Sequence, residues 1–387
     1  MFLAAVTGTD GKTTTVEFTR QLLEHAGIRA ASWGSLGLVT ARGRDPSPVV
    51  SVGRRALGIF LEDLDYADLD AVAFEAFSSS LAGGFLEGVE PDVAAFTSFG
   101  RDHLDLHGTP EAYFQAKLRL FSEVLPPGGT AVLHADLPRY PQLLEVCRER
   151  GHGVRSFGRN GELRLHDVRS TAEGVQVTLE VDGVRFDGPL PLFGTPMVES
   201  VLCACGLARA AGVPAEDLLA ALPGLHAPPG RMEPVGRHRG ARIFVDAAHT
   251  PEALRRALVS LRAAATGRLS VVFGCGGERD PGKRALMGRV ARGGADRVYV
   301  TDDNARGEDP ATIREAILEE VPDGREVPDR EAAIHRAVAE LGPGDVLLVA
   351  GRGDEDTLEA GGGARPLRDA DAVADAIAPP NAGPVET

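Results

Sequence analysis

The sequence predicts an α/β protein built of two successive units, each around a mostly parallel sheet. Two observations carry that expectation. Short apolar runs that read as strands alternate with helical stretches nearly throughout, the signature of βαβ units. One such run, Phe2-Leu3-Ala4-Ala5-Val6, leads straight into Thr7-Gly8-Thr9-Asp10-Gly11-Lys12-Thr13-Thr14, a glycine-punctuated turn that opens a helix over 14–26.

In chain order, strands are expected over 3–7, 71–75, 93–97 and 130–134, each followed by a turn or helix. Between 161 and 190 the pattern changes to apolar/polar alternation, with Asp182-Gly183 as a two-residue hairpin turn; this predicts a small antiparallel β insert. A helix is expected over 199–211. The stretch Ala227-Pro228-Pro229-Gly230 reads as a linker, which places the unit boundary between 228 and 229. Beyond it, strands are expected over 241–245, 269–273, 297–301 and 346–350. Thr250-Pro251-Glu252 opens a helix with an N-cap followed by proline at its first position. The tail from 379 to 387 is expected to be disordered, and no internal repeat is present.

Composition restricts the function classes. The chain has 387 residues, of which 43% are hydrophobic and 25% charged, proportions of a globular protein with a proper core. Its net charge of −15 argues against a nucleic-acid or anionic-membrane partner. Met1-Phe2-Leu3 lacks a basic leader region, and no apolar run reaches the length of a membrane span, so a cytoplasmic monomer acting on small molecules is expected. Cys147, Cys203, Cys205 and Cys275 have no paired zinc spacing and read as buried thiols.

The turn over 7–14 has the layout of a phosphate-binding loop: strand, small residues, helix N-terminus. Small residues let backbone N–H groups close around a polyphosphate, and the helix dipole favours the anion. Lys12 is expected at the β- and γ-phosphates, and the Thr13 hydroxyl at a Mg²⁺ ion. Gly8 and Gly11 enclose two residues, where the common pattern has four; an ordinary Gly-Lys-Thr helix start is the plain alternative. Further candidates fall at strand ends, where open α/β sheets bind ligands. Glu75 ends one strand ahead of Ser78-Ser79-Ser80, and Thr97-Ser98 ends the next ahead of Arg101-Asp102-His103-Leu104-Asp105-Leu106-His107-Gly108. Glu75 and His103 are candidates for a metal beside the phosphates.

Taken with Tyr-Phe-Gln-Ala-Lys-Leu-Arg-Leu-Phe (113–121), Gly-Arg-Met-Glu (230–233), Asp-Ala-Ala-His-Thr-Pro (246–251), Gly-Cys-Gly-Gly-Glu-Arg-Asp-Pro-Gly-Lys-Arg (274–284), Asp-Asn-Ala-Arg (303–306) and Gly-Arg-Gly-Asp-Glu (351–355), these segments resemble the Mur ligase family in its motif order. The family comprises ATP-dependent amide ligases of peptidoglycan precursor assembly, and the chain is most similar to its MurE type, which adds the third amino acid of the stem peptide. The resemblance implies a P-loop-type ATPase unit over 1–228 and a Rossmann-like α/β unit over 229–387 that binds the amino acid. It implies ATP and Mg²⁺, with Gly8, Thr9, Asp10, Gly11, Lys12, Thr13 and Thr14 on the nucleotide, and Thr13, Glu75, His103 and Lys117 as metal ligands. Lys117 matches a lysine carried as a carbamate. An ordinary lysine is neutral in only roughly one molecule in 2,500 at pH 7, whereas its carbamate is an anionic oxygen ligand of the kind Mg²⁺ prefers.

In the second unit the resemblance assigns Arg231, Asp246 and His249 to the nucleotide upon domain closure. It assigns Arg279, Asp303, Asn304, Arg306, Gly351 and Glu355 to an incoming diaminopimelate, and Ser78 to substrate. Arg306 is expected to fork the far carboxylate and Glu355 to hold the distal ammonium. An amino acid without that carboxylate, such as lysine or ornithine, is expected to leave Arg306 buried and unpaired.

The chain also departs from the family pattern. Ser98 replaces an asparagine, Phe77-Ser78-Ser79 replaces Ser-Ser-His, and Met197 and Ser200 replace two asparagines. Ala305 and Asp354 replace proline and histidine; Asp354 is expected to add a second acid beside Glu355, where the two carboxylates would attract the terminal ammonium of a shorter diamino acid, with Arg306 then paired to Asp354 or Asp303. Full-length MurE-type proteins begin with a UDP-binding domain, whereas this sequence starts at the phosphate loop. The expectation is either a start recorded too late or an acceptor without UDP. Three functions therefore compete: a MurE-like ligase, the same chemistry on a cofactor or secondary-metabolite acceptor, and a nucleotide-binding protein without ligase activity. A dehydrogenase reading of Gly274-Cys275-Gly276-Gly277 fails because Arg279 stands where the third glycine belongs.

Overall fold

The computed structural model describes residues 1–45, 69–360 and 363–378; the tail expectation over 379–387 lies outside them. The chain forms two compact units, Met1–Pro228 and Pro229–Thr387. Both are α/β.

The first unit is organised by one sheet of β1 (Phe2–Thr7), β2 (Ala30–Gly34), β3 (Gly37–Thr40), β4 (Gly43–Asp45), β5 (Ala71–Glu75), β6 (Val93–Phe96), β7 (Thr130–His134), β8 (Gly153–Gly158), β9 (Leu163–Thr171), β10 (Gly174–Val181) and β11 (Val184–Leu190). Their order is β11-β10-β9-β8-β7-β6-β1-β5-β2-β3-β4. From β2 to β9 across this order every pairing is parallel, and both flanks are antiparallel. β1 lies between β5 and β6, with Val6 opposite Glu75 and Thr7 opposite Phe96. Ala4, Ala5 and Val6 are wholly buried, as a continuous apolar run covered on both faces should be.

The expected antiparallel insert is present, and Asp182 and Gly183 take the positive φ values of 50° and 81° that its turn needs. It is not a separate sheet, however. β8, which the sequence reading passed over, pairs in parallel with both β7 and β9 and so splices the hairpins onto the main sheet. Two helices start earlier than expected, at Lys12 and Thr195. Left-handed Gly11 frees the turn before the first, and Pro196 is preset for the first turn of the second.

The second unit has the sheet order β12-β13-β17-β14-β15-β16, formed by β12 (Glu233–His238), β13 (Ala241–Asp246), β14 (Leu269–Phe273), β15 (Arg297–Val300), β16 (Arg325–Glu326) and β17 (Val346–Ala350). Only β12 runs antiparallel to its neighbour. A separate hairpin, β18 (Thr357–Ala360) with β19 (Gly363–Pro366), follows the last sheet strand. The helix Pro251–Arg262 starts as expected, with the Thr250 hydroxyl accepting from Ala253 N at 3.1 Å. Among the described residues no helix is long and apolar enough to cross a membrane. All four cysteines are free and buried.

Candidate active site

Three adjacent strand ends build the loop in the first unit. Ala76 N donates to Val6 O, Thr97 N donates to Thr7 O, and the Thr7 hydroxyl donates to Ala76 O at 2.8 Å. These bonds hold the ends of β1, β5 and β6 in one plane and turn residues 8–11 across them. Ser98 carries the next contact. Its hydroxyl accepts from Asp10 N at 2.8 Å and donates to Asp10 O at 2.9 Å, while its carbonyl accepts from Thr9 N. The Thr97 hydroxyl reaches Asp10 O at 2.7 Å. Ser98 is thus committed to the loop backbone.

Gly8 is required here. Its φ is +150°, and a Cβ would lie 1.9 Å from Thr97 Oγ1, so only hydrogen fits between the loop and β6. The glycine lets the loop backbone lie close against residues 97 and 98, the tight turn that a polyphosphate-binding backbone needs. Lys12 Nζ donates to Gly8 O at 3.1 Å and Thr9 O at 2.8 Å, at the loop's own rim. Thr13 and Thr14 are buried in the first helical turn, and the Thr13 hydroxyl donates to Glu75 Oε1 at 2.9 Å. Glu75 also accepts from Ser35 N at 2.8 Å. A hydroxyl and a carboxylate held together beside a phosphate cradle are the oxygen donors that suit Mg²⁺.

Lys117, in the helix Pro110–Arg119, is 1% exposed, and its Nζ donates to Gly8 O at 2.7 Å. Burial pushes its pKa well below the lysine range, and the Lys12 charge pushes the same way against Asp102, Asp10 and Glu75. Tyr113, one turn earlier, was missed as a site residue in the sequence. Its ring lies 4.5 Å under Lys117 Nζ, with the rings of His107 and His103 at 5.3 and 6.0 Å. His107 Nε2 meets the buried Ser78 hydroxyl at 3.0 Å. His103 has φ of 51° and lies 3.3 Å from Asp102 Oδ2. The phosphate loop, Glu75 and Lys117 thus converge. Among the described residues no three of His, Cys, Asp and Glu are grouped as a metal site; a set that also draws on a threonine hydroxyl and a modified lysine needs only two of them.

In the second unit the candidates also sit at strand ends. Asp246, ending β13, accepts from Met232 N at 2.6 Å, and His249 Nδ1 lies 2.7 Å from Ala247 O. Beyond β15, Asp303 accepts from Asn304 N at 2.6 Å, and Asn304 Nδ2 donates to Glu355 Oε2 at 2.6 Å. Gly351, with φ of +114°, admits Asp303: a Cβ there would stand 2.8 Å from Asp303 Oδ2. Arg306 and Arg279 bracket Gly276, whose Cβ would lie 3.1 Å from Arg306 Nη1 and 3.8 Å from Arg279 Cγ. Beneath these loops Arg330 and Asp369, both wholly buried, form a bidentate ion pair: Arg330 Nε donates to Asp369 Oδ1 and Nη2 to Oδ2, each at 2.7 Å. Arg330 also donates to Ala350 O at 2.9 Å and Asp302 O at 3.3 Å, pinning the two strand ends that carry the set. Nothing in the sequence marked that pair, since its members are 39 residues apart.

Two expectations need correction. Asp354 does not partner Arg306; its Oδ1 lies 3.7 Å from Arg231 Nη1. Arg306 does not depend on a ligand for partners either. Its Nη1 donates to Gly277 O at 2.8 Å and Asn304 O at 3.2 Å, and its Nε lies 3.7 Å from Glu359 Oε2. The penalty expected for an amino acid lacking a far carboxylate therefore does not arise from an orphaned Arg306.

A phosphate loop on an α/β sheet, with a hydroxyl–carboxylate pair beside it, defines an enzyme that uses a nucleotide and Mg²⁺. The comparisons narrow the class. The Mur ligase middle domain matches residues 6–208, and the Mur ligase, glutamate ligase domain matches 230–353. The chain belongs to the Mur ligase family and is an ATP-dependent acid–amino-acid ligase. The UDP-N-acetylmuramoyl-L-alanyl-D-glutamate–2,6-diaminopimelate ligase of Bradyrhizobium diazoefficiens is 43% identical over 381 residues, covering 97% of this chain and 79% of that protein. The protein of the same name from Caulobacter vibrioides is 42% identical over 377 residues, covering 94% and 77%. A solved structure of a ligase with that name superimposes with a TM-score of 0.69 at 31% identity, covering 97% of this chain and 78% of the other. A Mycobacterium tuberculosis folylpolyglutamate synthase shares the fold, with a TM-score of 0.75 at 17% identity over 90% of this chain and 88% of its own.

Proposed function

We propose that this chain joins a diamino acid, meso-diaminopimelate, to the terminal carboxylate of UDP-N-acetylmuramoyl-L-alanyl-D-glutamate. The acceptor carboxylate takes the γ-phosphoryl group of ATP, leaving ADP; the amine then attacks the acyl phosphate, loses a proton and expels phosphate. The observation that carries this reading is the strand-end set of Asp303, Asn304, Arg306, Gly351 and Glu355, in a chain over 40% identical to ligases named for this substrate pair.

Each residue has a role in it. Gly8 to Thr14 wrap the phosphates, and Lys12 moves from the loop rim onto them. Thr13, Glu75, His103 and carbamylated Lys117 would hold Mg²⁺, which supplies neutralisation of charge on the transferred phosphoryl group. Burial favours the carbamate, because a neutral Lys117 amine adds CO₂ and releases a proton, where an ammonium cannot. Arg231, Asp246 and His249 serve the nucleotide, and Ser78, braced by His107, faces substrate. Arg279 and Arg306 take carboxylates of the incoming amino acid, and Asn304 orients Glu355 toward its ammonium.

The test is a competition among meso-diaminopimelate, lysine and ornithine with that acceptor, following amide product by mass. Preference for diaminopimelate is expected; a preference for lysine or ornithine that survives Arg306→Ala would end the assignment of Arg306. The pH profile gives a second check. Partial burial and the Asp303 charge raise the Glu355 pKa, while Arg352, the Asn304 hydrogen bond and His249 act against them. Only ionised Glu355 holds an ammonium. The kcat/KM for the amine is therefore expected to fall, as pH drops, at a higher pH than an ordinary glutamate would cause. Glu355→Gln should remove that acid limb.

A further inference from the structure

We infer that Glu359 sets amino-acid selectivity, its carboxylate competing with the far carboxylate of the incoming amino acid for Arg306. The inference rests on the reading of Arg306 given above. Glu359 lies in β18, where burial alternates along the strand: Leu358 is 5% exposed and packs into the core of the second unit. Its neighbour Glu359 therefore points to the opposite face. The main chain of Glu359 is stitched to the candidate site on both sides. Its N–H donates to Asn304 Oδ1 at 2.9 Å, and its carbonyl accepts from Arg306 N at 3.3 Å. The side chain is half exposed, with Oε2 3.7 Å from Arg306 Nε.

The guanidinium is consequently divided between two tasks. Nη1 is anchored on the carbonyls of Gly277 and Asn304, which fix its plane, and the Nε edge faces a carboxylate supplied by the chain itself. A bidentate fork needs two adjacent donors on one side. A diamino acid ending in a carboxylate has to displace Glu359 to use the Nε side. One ending in an ammonium alone displaces nothing and meets an acid already in place. Glu359 thus narrows the gap between the two classes of amine.

Pairs of this exposure are worth little, so the expected change is modest but has a defined sign. Glu359→Gln retains both main-chain bonds and removes the charge. It is expected to lower the KM for meso-diaminopimelate by about two- to five-fold, while the KM for lysine stays level or rises. A side chain serving only the hairpin would weaken both amines together. The complete reaction is measured for the unchanged chain, Glu359→Gln, Arg306→Ala and the double variant. In the Arg306→Ala background, Glu359→Gln should have no further effect on diaminopimelate. A KM for diaminopimelate that holds or rises in Glu359→Gln, a parallel shift for both amines, or a gain that persists without Arg306 overturns the inference. If Arg306→Ala alone leaves the KM for diaminopimelate unaltered, the reading of Arg306 fails, and this inference falls with it.

Discussion

Lys12→Ala is expected to lower ATP turnover by at least about two to three orders of magnitude, the usual cost of removing one preorganised charge donor from a phosphoryl-transfer site. The fold should survive. Lys12 is only half buried, and among the described residues its amine bonds to the carbonyls of Gly8 and Thr9 alone, so the truncation opens no core cavity and orphans no buried charge. The arrangement of the loop does not depend on it: Ser98, Thr97 and the three strand ends hold residues 8–11 in place. The measurement pairs steady-state ADP release with thermal unfolding. Turnover matching the unchanged chain would remove the phosphate loop from the mechanism, whereas lost turnover with an unchanged unfolding midpoint is the expected result.

Lys117→Ala should produce a comparable loss, and one that can be partly reversed. The side chain is buried against Gly8 and Tyr113, and in the proposed mechanism its carbamate supplies an anionic oxygen beside Thr13 and Glu75. Truncation removes that oxygen and leaves a space next to the loop. Short carboxylates such as formate or acetate have the charge and size to enter it, so activity should rise with their concentration. Lys117→Met, which fills the space, should show no such recovery. If mass analysis finds an unmodified Lys117 in a fully active enzyme, the carbamate is excluded. The prediction separates two roles that burial alone leaves merged, since a purely structural lysine would not respond to a small carboxylate.

The amino-acid site explains why one part of the sequence argument failed. An arginine matched to a far carboxylate invited the inference that it would be orphaned without one. That inference took the charge of Arg306 from the sequence but had no knowledge of its surroundings. Glu359 and the carbonyls of Gly277 and Asn304 already partner it. Asp354, placed by the sequence next to Glu355, turns instead toward Arg231. One peptide step reverses the direction of a side chain, and no linear spacing decides which way it points.

By itself the sequence determined what depends on local order. The α/β class, the strand–turn–helix of the phosphate loop, the Asp182-Gly183 hairpin, the Thr250 cap and each motif of the family series rest on residues a few positions apart, where periodicity and turn chemistry act. Tertiary structure alone decided the rest. It showed that β8 splices the antiparallel strands onto the main sheet, that Ser98 is spent on the loop backbone, and that Lys117 reaches the loop carbonyl of Gly8. It also joined Arg330 to Asp369 and brought Glu359 to Arg306. Each of these joins residues distant in the chain through contacts of a few ångströms, and such contacts exist only once the sheets have set the register between strands. Sequence names the chemical groups; packing decides which of them meet.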